Sequence, residues 1–102
     1  MLDELLILKK IKEGDIKAFE ELFRRYYFPL CCYAAGITGQ MEVAEEIVEE
    51  LFYVLWKERE RLQIFQSVKS YLYRATRNQS LQYCEHEEVR NRYRETVLTT
   101  SN

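Results

Sequence analysis

Apolar residues recur along the chain at intervals of three and four, the spacing that lines one face of an α-helix, and four helical segments follow from it. The first covers about residues 2–13, with Leu5, Leu6, Leu8 and Ile11 in phase. Gly14 can stop it in the left-handed conformation, and Asp15 is placed to cap the next helix. That second helix covers about residues 16–35 and carries Ala18, Phe19, Leu22, Phe23, Tyr26 and Leu30. Pro29 lies inside it, lacks an amide hydrogen, and predicts a kink or interruption near Arg25 and Tyr26. Residues 36–40 hold two glycines and read as a loop. A third helix follows over about residues 41–59, and residues 61–66 connect it to the fourth. Ser67 is a plausible cap for a helix from 68 to at least 84, extendable through 94, with residues 96–102 a polar tail. The expected fold is all-α, a compact bundle of four main helices, antiparallel in the main, with one helix kinked at Pro29.

The third helix has two opposed faces. With Glu46 set at zero and about 100° per residue, Ala44, Ile47, Val48, Leu51 and Leu55 fall at about 100–200° and form a core stripe. Glu42, Glu46, Glu49, Glu50, Tyr53 and Lys57 gather around zero. An ordinary solvated face mixes signs through i,i+4 pairs, whereas four acids here repel by a few tenths of a kcal/mol per pair. A solvated face and a docking surface for a basic partner both remain open from this pattern.

On the fourth helix, Val68, Leu72, Ala75, Gln79 and Tyr83 make the inward stripe. Lys69, Ser70, Tyr73, Arg74, Arg77 and Asn78 spread over the rest. Cations interleaved with Tyr71, Tyr73 and an amide suit single-stranded nucleic acid: cations pair with phosphate, rings stack on bases, and Asn can read a base edge. Long basic side chains shielding a core would produce the same segment. Beyond Cys84, Glu85, Glu87 and Glu88 oppose a phosphate backbone before Arg90, Arg92 and Arg94 restore positive charge.

Charge reinforces this division. The net charge of −2 hides a residue 1–60 half with 13 acids and 8 bases and a residue 61–102 half with 4 acids and 7 bases. Between Arg61 and Cys84 four bases stand with no acid. An acidic half joined to a basic stretch predicts two surfaces with two kinds of partner. At 47% hydrophobic, with three Gly and one Pro in 102 residues, the chain is neither disordered nor low-complexity, and it is about one domain long. No apolar run approaches the roughly 20 residues of a membrane span, and the acids near the start are unlike a signal peptide.

Catalytic chemistry finds little support. Cys31, Cys32 and Cys84 are odd in number and lack a C-x-x-C, which argues against a disulfide framework or zinc site and for buried thiols in a reducing cytosol. A di-metal carboxylate bundle needs Glu-x-x-His pairs, but three residues before His86, the one histidine, stands Tyr83. Gly-rich phosphate loops, G-x-S-x-G and Cys/His nucleophile pairs are absent. Neither enzymatic activity nor a cofactor or metal is expected.

Three segments carry a resemblance. EGDIKAFEELFRRYY at residues 13–27, AEEIVEELF at 44–52 followed by Leu55 and Trp56, and SVKSYLYRATRN at 67–78 together resemble the extracytoplasmic-function (ECF) sigma factors, small members of the sigma-70 family of bacterial transcription initiation factors. They cover roughly residues 10–85 and correspond to the helical domain called region 2. The resemblance implies docking on the clamp helices of the RNA polymerase β′ subunit, and recognition and melting of the −10 promoter element on the non-template strand. It places the docking motif on Glu46, Glu49 and Glu50, beside Tyr53, and the strand-binding set on Lys69, Tyr71, Arg74, Arg77 and Asn78. The family usually has Asp at 46 and Gln at 49, where this chain has Glu. A base is expected to flip into a pocket between residues 62–66 and the fourth helix. An anti-sigma factor is a further implied partner, and the location is the cytoplasm. The expected domain is residues 1–95, with no region 4 helix-turn-helix after it. The alternative is a sigma-like interaction module that binds a regulator or polymerase without melting DNA, favoured by the acids at 85–88.

Overall fold

The computed structural model describes residues 3–64 and 67–100. Asp3 caps α1 (Glu4–Lys12) by accepting from the Leu5 amide at 3.2 Å. The helix ends in a Schellman turn: Gly14 takes a φ of 90°, its amide bonds the Ile11 carbonyl at 2.9 Å, and the Asp15 amide bonds that of Lys10 at 2.9 Å. Asp15 then caps α2 (Ile16–Thr38) through the amides of Lys17 and Ala18. The helical assignment of α2 continues unbroken through Pro29 and also through Gly36, which was expected to lie in a loop. Gly39, with φ of 77°, ends it instead, so only Gly39 and Gln40 separate α2 from α3 (Met41–Lys57). A single 3₁₀ turn (Arg59–Arg61) follows, and the connector residues Phe65 and Gln66 lie outside the described residues. Ser67 accepts from the Ser70 amide at 3.2 Å and starts α4 (Val68–Thr100). Residues 96–100, read as a polar tail, continue that helix.

The four helices form an all-α bundle in which α2 packs against each of the other three. Its core joins Ile7, Leu8 and Ile11 of α1, Leu22, Leu30 and Ala34 of α2, Val48, Phe52 and Leu55 of α3, and Val68 and Leu72 of α4. Three stripes sit in a different register from the pattern. In α1, Ile7 is inside while Leu5 and Leu6 are exposed. In α3, Phe52 is buried, and Ile47 and Leu51 move to the flank. In α4 the buried row is Val68, Leu72, Thr76 and Ser80, while Ala75 and Tyr83 are half-buried and Gln79 is exposed. A row of i,i+4 residues fills a groove between facing helices, and Thr76 can join it because its hydroxyl donates to the Leu72 carbonyl at 2.8 Å. The bundle measures 62 × 24 × 22 Å, long because α4 outruns its neighbours. Contacts of Tyr83 with Gln40 and of Cys84 with the Ile37 carbonyl tie α4 to the end of α2.

A polar clasp fixes α1 to α2. The Tyr26 hydroxyl donates to the Glu4 carboxylate, and Arg25 donates to Glu4 at 3.2 Å and to Glu21 at 3.0 Å. Burial, reinforced by Glu4, pushes the Tyr26 phenol up from 10 to about 12. The unfolded chain loses this proton first, so this group's stability contribution is present below pH 10 and lost as pH rises toward 12. Tyr26→Phe is expected to cost about 1–2 kcal/mol at neutral pH and to shrink the alkaline loss. Urea denaturation at a series of pH values checks both parts.

Candidate partner and nucleic-acid interface

The charged residues of α3 point outward because its apolar residues fill the α2 side. Glu42, Glu45, Glu46, Glu49 and Glu50 are exposed, and no ion pair among the described residues neutralises any of them. Tyr53 is exposed at their centre, and the Lys57 ammonium lies 5.9 Å from its ring centroid.

The acids divide between two borders. Glu49 faces α2, where its carboxylate accepts from the Tyr27 hydroxyl at 3.2 Å. Burial raises the Tyr27 phenol above its ordinary value, with Cys31 and Glu49 adding to the effect, so it stays a donor. Tyr27 stacks on Phe23 at 4.7 Å, and Phe23 and Phe19 pack edge-on against Phe52. Trp56 closes this aromatic edge, with the Arg59 guanidinium 4.3 Å above its ring. Tyr27 was not among the expected site residues; the repeat Phe19, Phe23, Tyr27 at i,i+4 marks the edge it belongs to.

Glu46 and Glu50 border the other side, a groove of about 590 Å³ between α3 and α4. Val43, Ile47 and Val54 form one wall, and Tyr71, Ala75 and Asn78 the other. The register of α4 thus brings Tyr71 and Asn78, expected to meet nucleic acid, opposite Glu46 and Glu50, expected to meet polymerase.

The remaining basic residues lie outside the groove. Arg74 and Asn78 fall within about 60° of Tyr71 around the helix, Arg77 about 120° away, and Lys69 about 160° away. Lys69, Arg74 and Arg77 are exposed and enter no ion pair among the described residues. Tyr71, Arg74 and Asn78 therefore form a continuous strip; Arg77 extends it toward solvent, and Lys69 stands on the opposite edge. Tyr73 faces α2 and packs edge-on against Tyr33 at 5.1 Å. Farther along α4, Arg90 pairs with Glu87 at 3.1 Å and Arg92 with Glu88 at 2.6 Å, so these two arginines have carboxylate partners within the helix. The expected base pocket beside residues 62–66 falls partly outside the described residues; Ile64, from that connector, borders a hollow with α1.

Among the described residues no His, Cys, Asp and Glu group could hold a metal ion, and no helix is long and apolar enough to cross a membrane.

Residues 22–89 match the sequence model of sigma-70 region 2. The chain belongs to this family. Sigma-70 region 2 is the non-enzymatic domain of transcription initiation factors that binds core RNA polymerase and recognises the −10 element. The matched stretch begins inside α2 at Leu22 and ends on α4 at Val89, so it takes in both acidic and basic surfaces and leaves out α1. A solved structure of an engineered region 2 of sigmaE in complex with GTAAAA shares the fold, with a TM-score of 0.73 and 21% identity over 87% of this chain and 93% of that one. No curated protein sequence matches the chain.

Proposed function

We propose that this region 2 domain is of the ECF type, that it docks on the β′ clamp helices through Glu46, Glu49, Glu50 and Tyr53, and that it captures the non-template −10 strand with Tyr71, Arg74 and Asn78. Arg77 and Lys69 add phosphate contacts at the margins. The observation that carries this reading is the groove between α3 and α4. Its one rim bears carboxylates with no cation beside them, and its other wall bears an aromatic ring and an amide next to the exposed Arg74. Carboxylates left in that state in a folded protein suit a basic partner helix, with charge-assisted bonds formed at a partly desolvated interface. Glu49 is held ready by Tyr27, which fixes one of its oxygens and leaves the other for a partner. On the opposite wall, stacking on Tyr71 and a phosphate contact from Arg74 would offset the few kcal/mol that unstacking a base costs.

The protein acts by binding, without a cofactor and without catalysis, in the cytoplasm where its polymerase is. An anti-sigma factor covering either rim of the groove would silence it. The pairing of Arg90 and Arg92 within α4 favours a second reading, an interaction module that holds a regulator or polymerase but not DNA. Arg74→Ala and Asn78→Ala separate the two. Each is expected to weaken binding of a −10 oligonucleotide about 10-fold, as lost phosphate and base-edge contacts do. Binding to polymerase should stay within about twofold, since surface changes away from an interface cost little. Fluorescence anisotropy with each partner checks this, and unchanged oligonucleotide binding would select the interaction module.

A further inference from the structure

α4 outruns the bundle, and all but Glu87 of its residues 85–99 are exposed. Val89 is 61% exposed and Tyr93 70%. They stand eighteen residues beyond Tyr71 and Ala75, or five full turns, and so lie on the side of α4 that walls the α3–α4 groove. Arg90 and Arg94 stand eighteen residues beyond the buried Leu72 and Thr76, on the flank that farther back turns toward the bundle. The end of α4 is thus an apolar row with a basic flank, and the groove is an apolar trough with Glu46 and Glu50 on its rim.

These two surfaces complement each other but cannot meet within one chain. Both belong to one continuous helix, which carries Tyr93 about 27 Å past Ala75. A second copy can supply the missing half. We propose that two copies pair through antiparallel α4 helices, with Val89 and Tyr93 of each entering the α3–α4 groove of the other and Arg90 and Arg94 meeting Glu46 and Glu50. The pairing is independent of the docking and strand-binding readings.

The register of α4 suits such a pair. A two-fold axis crossing α4 at the level of Cys84 sets Tyr93 opposite Ala75, each nine residues from it. The small side chain of Ala75 leaves room for the ring between Tyr71 and Asn78. Val89 falls opposite Gln79, which also lines the groove.

Chain direction suits it too. Contacts of Tyr27 with Glu49 and of Phe19 with Trp56 run α3 antiparallel to α2, whereas those of Tyr33 with Tyr73 and of Ile37 with Cys84 run α4 parallel to α2. α3 is therefore antiparallel to its own α4 and parallel to the α4 of the second copy. The axis keeps the bundle-facing flanks of both α4 helices on one side, which brings Arg90 and Arg94 of one copy against α3 of the other. Glu46 and Glu50 share the four-residue spacing of Arg90 and Arg94, so parallel order sets Arg90 beside Glu46 and Arg94 beside Glu50.

The charges are available for this exchange. Glu46, Glu50 and Arg94 are exposed and enter no ion pair among the described residues. Arg90 pairs with Glu87 on the helix surface, where such pairs contribute little and exchange readily. Symmetry makes every contact twice and closes the assembly at two copies. The dimer covers Glu46, Glu50, Tyr71 and Asn78, so self-association and binding of polymerase or strand exclude each other.

Sedimentation equilibrium of the full chain tests the pairing between about 1 µM and 1 mM, the range of weak interfaces. A monomer–dimer equilibrium is expected. Arg90→Glu combined with Arg94→Glu should weaken it about 100-fold by setting like charges against Glu46 and Glu50. Glu46→Arg combined with Glu50→Arg should do the same, and all four changes together should restore the dimer to within about tenfold. Circular dichroism confirms that each variant is folded. A monomer at every concentration overturns the proposal. So does a dimer that the charge reversals leave intact, or one that the four changes together fail to restore. A β′ clamp-helix fragment should dissolve the dimer by taking Glu46. If the fragment leaves it intact while the charge reversals behave as expected, the dimer stands and the docking reading falls.

Discussion

Glu46→Lys is expected to weaken binding to the β′ clamp helices about 100-fold without unfolding the domain. The two halves of that expectation come from one observation: Glu46 is exposed, has no ion-pair partner among the described residues, and stands on the rim of the α3–α4 groove. An exposed group without partners contributes little to folding, so its loss should change stability by no more than about 0.5 kcal/mol. The added lysine even relieves repulsion among Glu42, Glu49 and Glu50. At an interface the balance reverses. Removing one member of a hydrogen-bonded charge pair costs about 2–5 kcal/mol, and a like charge in its place adds repulsion, which makes about 100-fold a conservative figure. Glu46→Gln keeps the shape and should lose less. Isothermal titration with a clamp-helix fragment measures the affinities, and thermal melting checks the fold. An unchanged affinity would remove Glu46 from the docking surface.

The opposite outcome is expected six positions later. Phe52→Ala should cost about 3–5 kcal/mol of stability, a large share of the 5–15 kcal/mol that holds a domain of this size together. Phe52 is 2% exposed and packs edge-on against Phe19 and Phe23. Its removal therefore leaves a cavity between α2 and α3, bordered by rings too large to collapse into it. Its neighbour Tyr53 is 59% exposed, and Tyr53→Ala should be almost neutral for folding. Urea denaturation of both variants gives the contrast directly. Near-equal losses would mean that α3 is turned from the orientation described.

The contrast between Phe52 and Tyr53 also shows how far the chain's pattern could be read. Helix ends were legible where a single residue type does a specific job: Gly14 takes a positive φ, and Asp15 and Ser67 cap. Gly36 misled because glycine is tolerated on an exposed helical position, and no local signal separates it from Gly39. The acidic face of α3 was legible because four carboxylates on one side of a helix have no internal use. Its division was not, since Tyr27 reaches Glu49 from 22 positions away and only packing brings them together.

The α4 register has the largest consequence. A pattern read by hydrophobicity discounts Thr76 and Ser80, yet both are fully buried, and the threonine is satisfied by its own helix. Counting them inward rotates Tyr71 and Asn78 toward α3. The two surfaces that looked independent in sequence thereby share a groove. Lys69 is carried to the other edge of α4 by the same rotation. Cross-helix relations of this kind depend on how the bundle closes, and periodicity within one helix does not contain them.

Binding of the unaltered chain to an isolated β′ clamp-helix fragment at low and at physiological salt tests the central claim most directly. The account predicts micromolar or tighter binding at low salt, a clear weakening as salt screens the carboxylates, and loss of binding with Glu46→Lys. No binding at low salt by a chain that is folded would contradict it.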